Sequence, residues 1–212
     1  MSSPIIQNVI TRKKAIAITF DDGPNPVYTP QVLEIFKKAN GKATFFMIGE
    51  QMQNSPDLVK AVTGLGHEIG NHTYTHPKLT EINCEKASWE IDETSKLIER
   101  LTGQSPVLFR PPYLDYDKET SRLLNEKGFP MMIGAANMEA SDWERPGVDF
   151  ILEKTRSVVG NGSILLFHDG YGNRSQTIEA VRILIDELTR QGFELLTVSE
   201  LLSSADTNTL PL

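Results

Sequence analysis

Short β-branched runs alternate with amphipathic stretches along this 212-residue chain, and that alternation limits the fold more than any other feature. The run AIAITF at residues 15–20 stops at Asp21-Asp22-Gly23-Pro24, which reads as a buried strand entering a loop. Further strands are expected over 43–48, 68–70, 107–109, 130–135, 163–167 and 194–197. Between them, helices are expected over 29–39, 55–64, 83–101, 118–127, 149–158 and 175–191. The first of these has Thr29 as its expected cap and Pro30 in the first helical position. Such alternation implies an α/β fold, a parallel sheet with helices outside it. About seven units without a Gly-rich dinucleotide fingerprint favour a distorted (β/α)7-type barrel over an open doubly wound sheet. Residues 15–202 are expected to form one domain, with 1–14 as a lead-in and 203–212 as a frayed tail.

The polar residues that stand out all follow strands: Asp21-Asp22, His72, Arg110, Asp142 and His168-Asp169. In a parallel α/β barrel the strand ends converge on one face, so these distant segments are expected to meet in one pocket. His72 and His76 are spaced i, i+4, which would set two imidazoles on one side of a helical turn, a common arrangement for a divalent metal. On spacing alone, a capping or core histidine pair remains an equal alternative. Two adjacent carboxylates at 21 and 22 raise each other's pKa unless a cation or hydrogen bonds neutralise them, and taken alone they read rather as one cap of the following turn and one solvated acid. Together with the histidines they make a His₂Asp centre with open positions the better account. Arg110 precedes Pro111-Pro112, a rigid stretch from which it is expected to hold a carboxylate with both teeth of its guanidinium. His168 alone, directly after an apolar strand, reads more readily as a satisfied buried histidine, the commoner case for a lone one.

Composition narrows the partners. A net charge of −7 argues against a nucleic-acid binder, and the basic triplet Arg12-Lys13-Lys14 reads as a solvated strand entry. A neutral polymer suits an acidic protein better. The single cysteine, Cys84, excludes an internal disulfide and is read as incidental. No apolar run approaches the ~20 residues of a membrane span.

Taken in order, Thr19-Phe20-Asp21-Asp22-Gly23, the His72–His76 segment, Arg110-Pro111-Pro112-Tyr113, Asp142-Trp143 and the LLFH run at 165–168 resemble the five motifs of the NodB-homology polysaccharide deacetylases, carbohydrate esterase family 4. The resemblance implies a metal-dependent hydrolase that removes acetyl groups from N-acetylglucosamine-containing glycans such as peptidoglycan, chitin or chitooligosaccharides. An acetyl-xylan esterase with the same centre and a non-catalytic glycan-binding barrel are the alternatives. It implies Asp22, His72 and His76 as ligands of a divalent metal, Zn²⁺ first with Co²⁺ or Ni²⁺ also suited. Asp21 would be the general base, oriented by Arg110, and His168 the general acid, tuned by Asp142. The N–H of Tyr113 would bind the oxyanion, while Trp143 and Leu166 would line the acetyl pocket. An N-acetylated glycan is thus the expected partner, and the oligomeric state is left open. The family implies an extracellular or cell-envelope setting; residues 1–10 show no secretory leader, which leaves a cytoplasmic one open. One position departs from the pattern: the fourth motif begins with Glu139 where the family has aspartate, which bears on the substrate rim more than on the chemistry.

Overall fold

The computed structural model describes residues 4–206. Its strands are β1 (Ile5–Ile6), β2 (Ala15–Asp21), β3 (Thr44–Met47), β4 (Glu68–Asn71), β5 (Met132–Ile133), β6 (Ile164–His168) and β7 (Glu194–Leu196). Its helices are α1 (Thr29–Lys38), α2 (Gly49–Asn54), α3 (Pro56–Gly64), α4 (Cys84–Thr102), α5 (Lys118–Glu126), α6 (Val148–Arg156), α7 (Ser175–Arg190) and α8 (Val198–Ser203). Every ladder between these strands is parallel, as the strand–helix alternation requires.

Strand β2 is the centre of the sheet. It pairs with β6 over residues 17–21, with β3 over 19–21 and with β7 over 15–17, and β3 continues to β4. Beyond β4 the ladder thins to single bridges, from Asn71 to Phe109 and from Phe109 to Met132. The strand expected over 107–109 is reduced to that one residue, because Pro111 and Pro112 follow and bring no N–H to a ladder. On the far side, Ala136 N–H donates to the Ile164 carbonyl, so isolated hydrogen bonds carry the wall from β5 towards β6. This is the distorted (β/α) barrel. Ile5–Ile6, within the lead-in, pairs with β5. Of the expected tail, α8 reaches Ser203 and residues 207–212 lie outside the described residues.

The two faces of β2 explain its composition. Ile16, Ile18 and Phe20 point outward into a core shared with Val32, Phe36, Leu184 and Leu188 of the helices. Ala15 and Ala17 point inward, where the barrel is narrow, and meet Phe46, Leu108, Ile133, Ile164 and the α8 residues Val198 and Leu201. With both faces covered, all seven residues of β2 are buried, hence the unbroken apolar run. The inward set continues as Thr19 and Asp21, because side chains two apart share a face. Apolar filling at the bottom of the barrel therefore gives way to polar residues at the top, where the strands end.

Two local expectations change. Thr29 is the first residue of α1 and not its cap; its hydroxyl accepts from Asn25 N–H (2.7 Å) and donates to Asp169 (2.5 Å). The fixed bond to a buried carboxylate takes the oxygen that would otherwise cap the helix. The His72–His76 segment is a loop after β4, not a helical turn, since Thr73 (φ 65°) and His76 (φ 63°) both sit in the left-handed region.

Candidate active site

The ends of β2, β4 and β6, with the loops after Phe109 and Met138, enclose one pocket of about 360 Å³. Asp21, Asp22, His72, His76, Tyr113, Trp143, Leu166 and His168 line it, joined by Pro111, Leu114, Met138 and Tyr171. Arg110 and Asp142 stand directly behind it. All ten residues singled out from the sequence thus come together, although they span nearly 150 positions.

Three ligand atoms face one another within it. His72 Nε2 and His76 Nε2 lie 3.6 and 3.3 Å from Asp22 Oδ1, and one donor atom of each residue falls within 4.8 Å of the other two. The His72 Nδ1 donates to the Arg110 carbonyl at 2.7 Å, which leaves Nε2 with its lone pair turned to the cluster. Burial alone would raise the Asp22 pKa, but His72, His168 and His76 hold it at about 2. Burial and the neighbouring His72 bring His76 down to about 4, so its imidazole is neutral at ordinary pH. The buried Asp22 Oδ1 has no hydrogen-bond donor. A buried carboxylate oxygen without a donor, faced by two imidazole nitrogens, is a donor set that fits a divalent metal ion.

Asp21 sits beside this cluster, its Oδ2 3.7 Å from His72 Nε2. Arg110, only 1% exposed, reaches Asp21 Oδ1 through Nη1 at 2.6 Å. The contact is single and not two-toothed. The other donors are committed to the Ile133 carbonyl (Nε, 2.9 Å), the Gly134 carbonyl (Nη2, 2.9 Å) and the Thr19 hydroxyl (Nη1, 2.7 Å). Arg110 therefore ties the end of β5 to the end of β2 while it fixes one carboxylate oxygen.

Across the pocket, His168 Nδ1 meets Asp142 Oδ1 at 2.8 Å, and Asp142 Oδ2 accepts from His168 N–H and the Thr177 hydroxyl, each at 2.9 Å. The Asp142 carboxylate thus holds the ring and the backbone of one residue, and Nε2 is left for the pocket. Trp143 packs its ring edge-on to His168 at 5.4 Å. Leu166 is 5% exposed, and both its N–H and its carbonyl are bound by the Asn137 side chain (2.7 and 3.0 Å). Tyr113 is largely exposed, with its backbone in the left-handed region (φ 59°). Asp22 (φ 72°) and Tyr171 (φ 45°), which also line the pocket, share that conformation. Glu139 is on the surface, 3.4 Å from Lys154, away from these groups.

Several supporting residues escaped the sequence reading. Thr19 had a legible signal, a polar residue two before Asp21 in an apolar strand. Asn137, Thr177 and Tyr171 carried none, because each acts through contacts distant in sequence.

A parallel α/β barrel thus gathers two acids, two histidines and an acid–histidine pair at its strand ends, with a donor set that fits a divalent metal ion. The chain belongs to the polysaccharide deacetylase family, whose model matches residues 8–132. It is an enzyme of that class. It is 41% identical over 194 residues to a peptidoglycan-N-acetylglucosamine deacetylase of Bacillus cereus, covering 92% of this chain and 91% of that one. The crystal structure of a peptidoglycan N-acetylglucosamine deacetylase superposes with a TM-score of 0.87 at 30% identity, over 95% of this chain and 94% of the other. A carbohydrate esterase family 4 pseudoenzyme from Bacillus anthracis is also similar, with a TM-score of 0.85, 28% identity and coverage of 98% and 72%. The fold is therefore shared by active and inactive proteins, and the occupants of the site carry the distinction.

Proposed function

We propose that this protein hydrolyses the acetamide of N-acetylglucosamine residues in peptidoglycan or a related N-acetylated glycan, at a centre made by Asp22, His72 and His76. The observation that carries this reading is the pairing of a carboxylate beside the ligand cluster with an acid–histidine pair opposite it, in one pocket. The three ligands suit Zn²⁺ first, with Co²⁺ or Ni²⁺ also accommodated by two imidazoles and a carboxylate. Bound there, the ion supplies Lewis acidity to the acetyl carbonyl and makes a water nucleophilic near neutral pH.

The protein's own groups do the rest. Asp21, held by Arg110, takes the proton of the attacking water. The Tyr113 N–H donates to the carbonyl oxygen as negative charge develops on it. Trp143 and Leu166 enclose the acetyl methyl, with Asn137 fixing the Leu166 backbone. His168, oriented by Asp142 through Nδ1, gives its Nε2 proton to the departing amine. An amine leaves only when protonated, so an amide needs this residue more than an ester does.

Two similarities support N-acetylglucosamine in peptidoglycan as the substrate, namely those to the two peptidoglycan N-acetylglucosamine deacetylases. Such a substrate sets the reaction at the cell envelope. Among the described residues no helix is long and apolar enough to cross a membrane. We further assign residues 15–202 as the catalytic unit.

The test is acetate release from peptidoglycan, chitooligosaccharides and acetylated xylan, with and without a chelator. Release from the N-acetylated glycans, abolished by chelation and restored by Zn²⁺, is expected. Release from xylan alone would convert the reading to an O-deacetylase, and none from any substrate to a binding barrel. Asp21→Asn and His168→Ala are expected to retain the metal while turnover drops at least about a hundredfold.

A further inference from the structure

Helix α4 lines no part of the pocket, yet it aims a buried carboxylate at the loop that ends in His76. Glu90 is 0% exposed. Its Oε2 accepts from the backbone N–H groups of Tyr74 and Thr75, both at 2.8 Å, and its Oε1 accepts from the Thr75 hydroxyl at 2.7 Å. Lys86, one turn back on the helix, brings its ammonium to 3.1 Å from Oε1. A carboxylate survives such burial only with this kind of full engagement.

The loop needs an outside hold. With Thr73 and His76 in left-handed conformations it lacks a helical ladder of its own. Its internal bonds are Asn71 Oδ1 to Thr73 N–H and Thr73 Oγ1 to His76 N–H. On the α2 side, the Gly49 and Glu50 N–H groups donate to the carbonyls of Thr73 and Tyr74. Glu90 binds the same stretch from the α4 side. Strained backbone of this sort persists where the surroundings over-determine it. Apart from Lys86, each hydrogen bond of the Glu90 side chain falls on residues 74 and 75, while α4 itself is anchored in the cores by Ala87, Ile91, Leu97 and Ile98.

We infer that Glu90 is a positioning residue for the cation centre: it clamps residues 74–75 in the path that brings His76 Nε2 to Asp22 and His72, and so sets metal affinity without touching metal or substrate. This rests on the metal-centre reading above.

The test uses the full chain stripped by a chelator and titrated with Co²⁺, read by its absorption spectrum, and with Zn²⁺, read by competition. The parent, Glu90→Gln and Thr75→Val are compared, with the melting temperature of each metal-free form measured alongside. Glu90→Gln keeps the shape but loses the charge, and with its oxygen on the two backbone N–H groups it turns its NH2 towards the Thr75 hydroxyl and the Lys86 ammonium. It is expected to weaken both ions at least about tenfold, as loss of an outer partner of a metal ligand typically does. Thr75→Val, which removes one contact, should shift affinity the same way by less. At saturating metal, Glu90→Gln should release acetate at close to the parent's turnover number. Unchanged affinity in Glu90→Gln overturns the inference even if the protein melts lower, since that is what a purely structural residue would give. Should Glu90→Gln fail to fold, unchanged affinity in Thr75→Val overturns it instead. A parent that binds neither ion would overturn the metal-centre reading, a different and separately visible failure.

Discussion

His168 keeps its proton to higher pH than a free imidazole does, and Asp142 is the reason. Burial disfavours the imidazolium, but the charge of Asp142, its hydrogen bond to Nδ1 and the more distant Asp21 and Asp22 outweigh it. In the role proposed, the protonated form is the active one. Turnover is therefore present below the raised pKa and is lost as pH rises through it. Asp142→Asn keeps the side-chain volume and removes the charge, leaving burial to act unopposed by its nearest anion. The basic limb of the turnover–pH profile should then move to lower pH, with turnover at pH 8 down about tenfold or more. A limb at the parent's position would show that another group supplies the proton. The opposite logic applies to His76, whose imidazole burial keeps neutral and therefore available as a ligand.

At the scale of elements, the sequence was legible where one periodicity or one rotation decides. The inward alternation through Ala15, Ala17, Thr19 and Asp21 follows from the two-residue repeat, and strand ends collect polar groups because parallel strands share a direction. The i, i+4 spacing of His72 and His76 suggests a helical turn, whereas two left-handed residues bring the rings together from a loop. Nothing local announces that path, because its partners, Glu90, Gly49 and Glu50, belong to other elements. Likewise the single-toothed hold of Arg110 on Asp21 depends on Thr19, Ile133 and Gly134 competing for the same guanidinium. The junction of loops after β2 and β6 has one visible weak point. A Cβ on Gly170 would stand 2.0 Å from the Asp22 carbonyl oxygen and 2.6 Å from the Asp22 Cβ. Backbone cannot rotate away as a side chain can, so Gly170→Ala must displace the turn carrying Asp22. We expect a loss of about 1–3 kcal/mol in stability, together with weaker metal binding. Gly160, whose added Cβ would meet only Ser163 Oγ at 3.9 Å, is the control expected to change neither. Urea titration and metal titration of both variants check this; equal behaviour would mean the loops yield without cost.

For the whole molecule, the response to acid is shaped by buried groups that pull in opposite directions, His67 and His76 against Asp169. His67 packs edge-on against Phe36 and Phe45, and its Nδ1 accepts from the Ala43 N–H at 3.0 Å, which requires the neutral ring. Burial and the nearby Lys42 bring its pKa from 6.5 to about 4. The unfolded chain therefore takes up a proton there that the folded chain refuses, and stability present above pH 6.5 is lost as pH falls towards 4. Asp169 does the reverse. Burial, reinforced by Asp22 and Asp21, lifts it from 3.8 to about 7, so the folded chain gains a proton that the unfolded chain does not want until lower pH. Between pH 4 and 6.5 Asp169 opposes both His67 and His76, whose pKa burial likewise brings to about 4, so the parent should lose stability as pH falls, by less than the two histidines alone would dictate. His67→Asn separates them. An asparagine oxygen can still accept from Ala43 N–H, so the variant loses ring packing at every pH but no longer suffers the acid penalty. Its deficit relative to the parent should be largest at pH 7 and shrink by roughly 2–3 kcal/mol by pH 4. Urea midpoints at pH 7, 5.5 and 4 measure that gap. A deficit constant across the series would mean that His67 titrates in the folded protein as it does in the unfolded one.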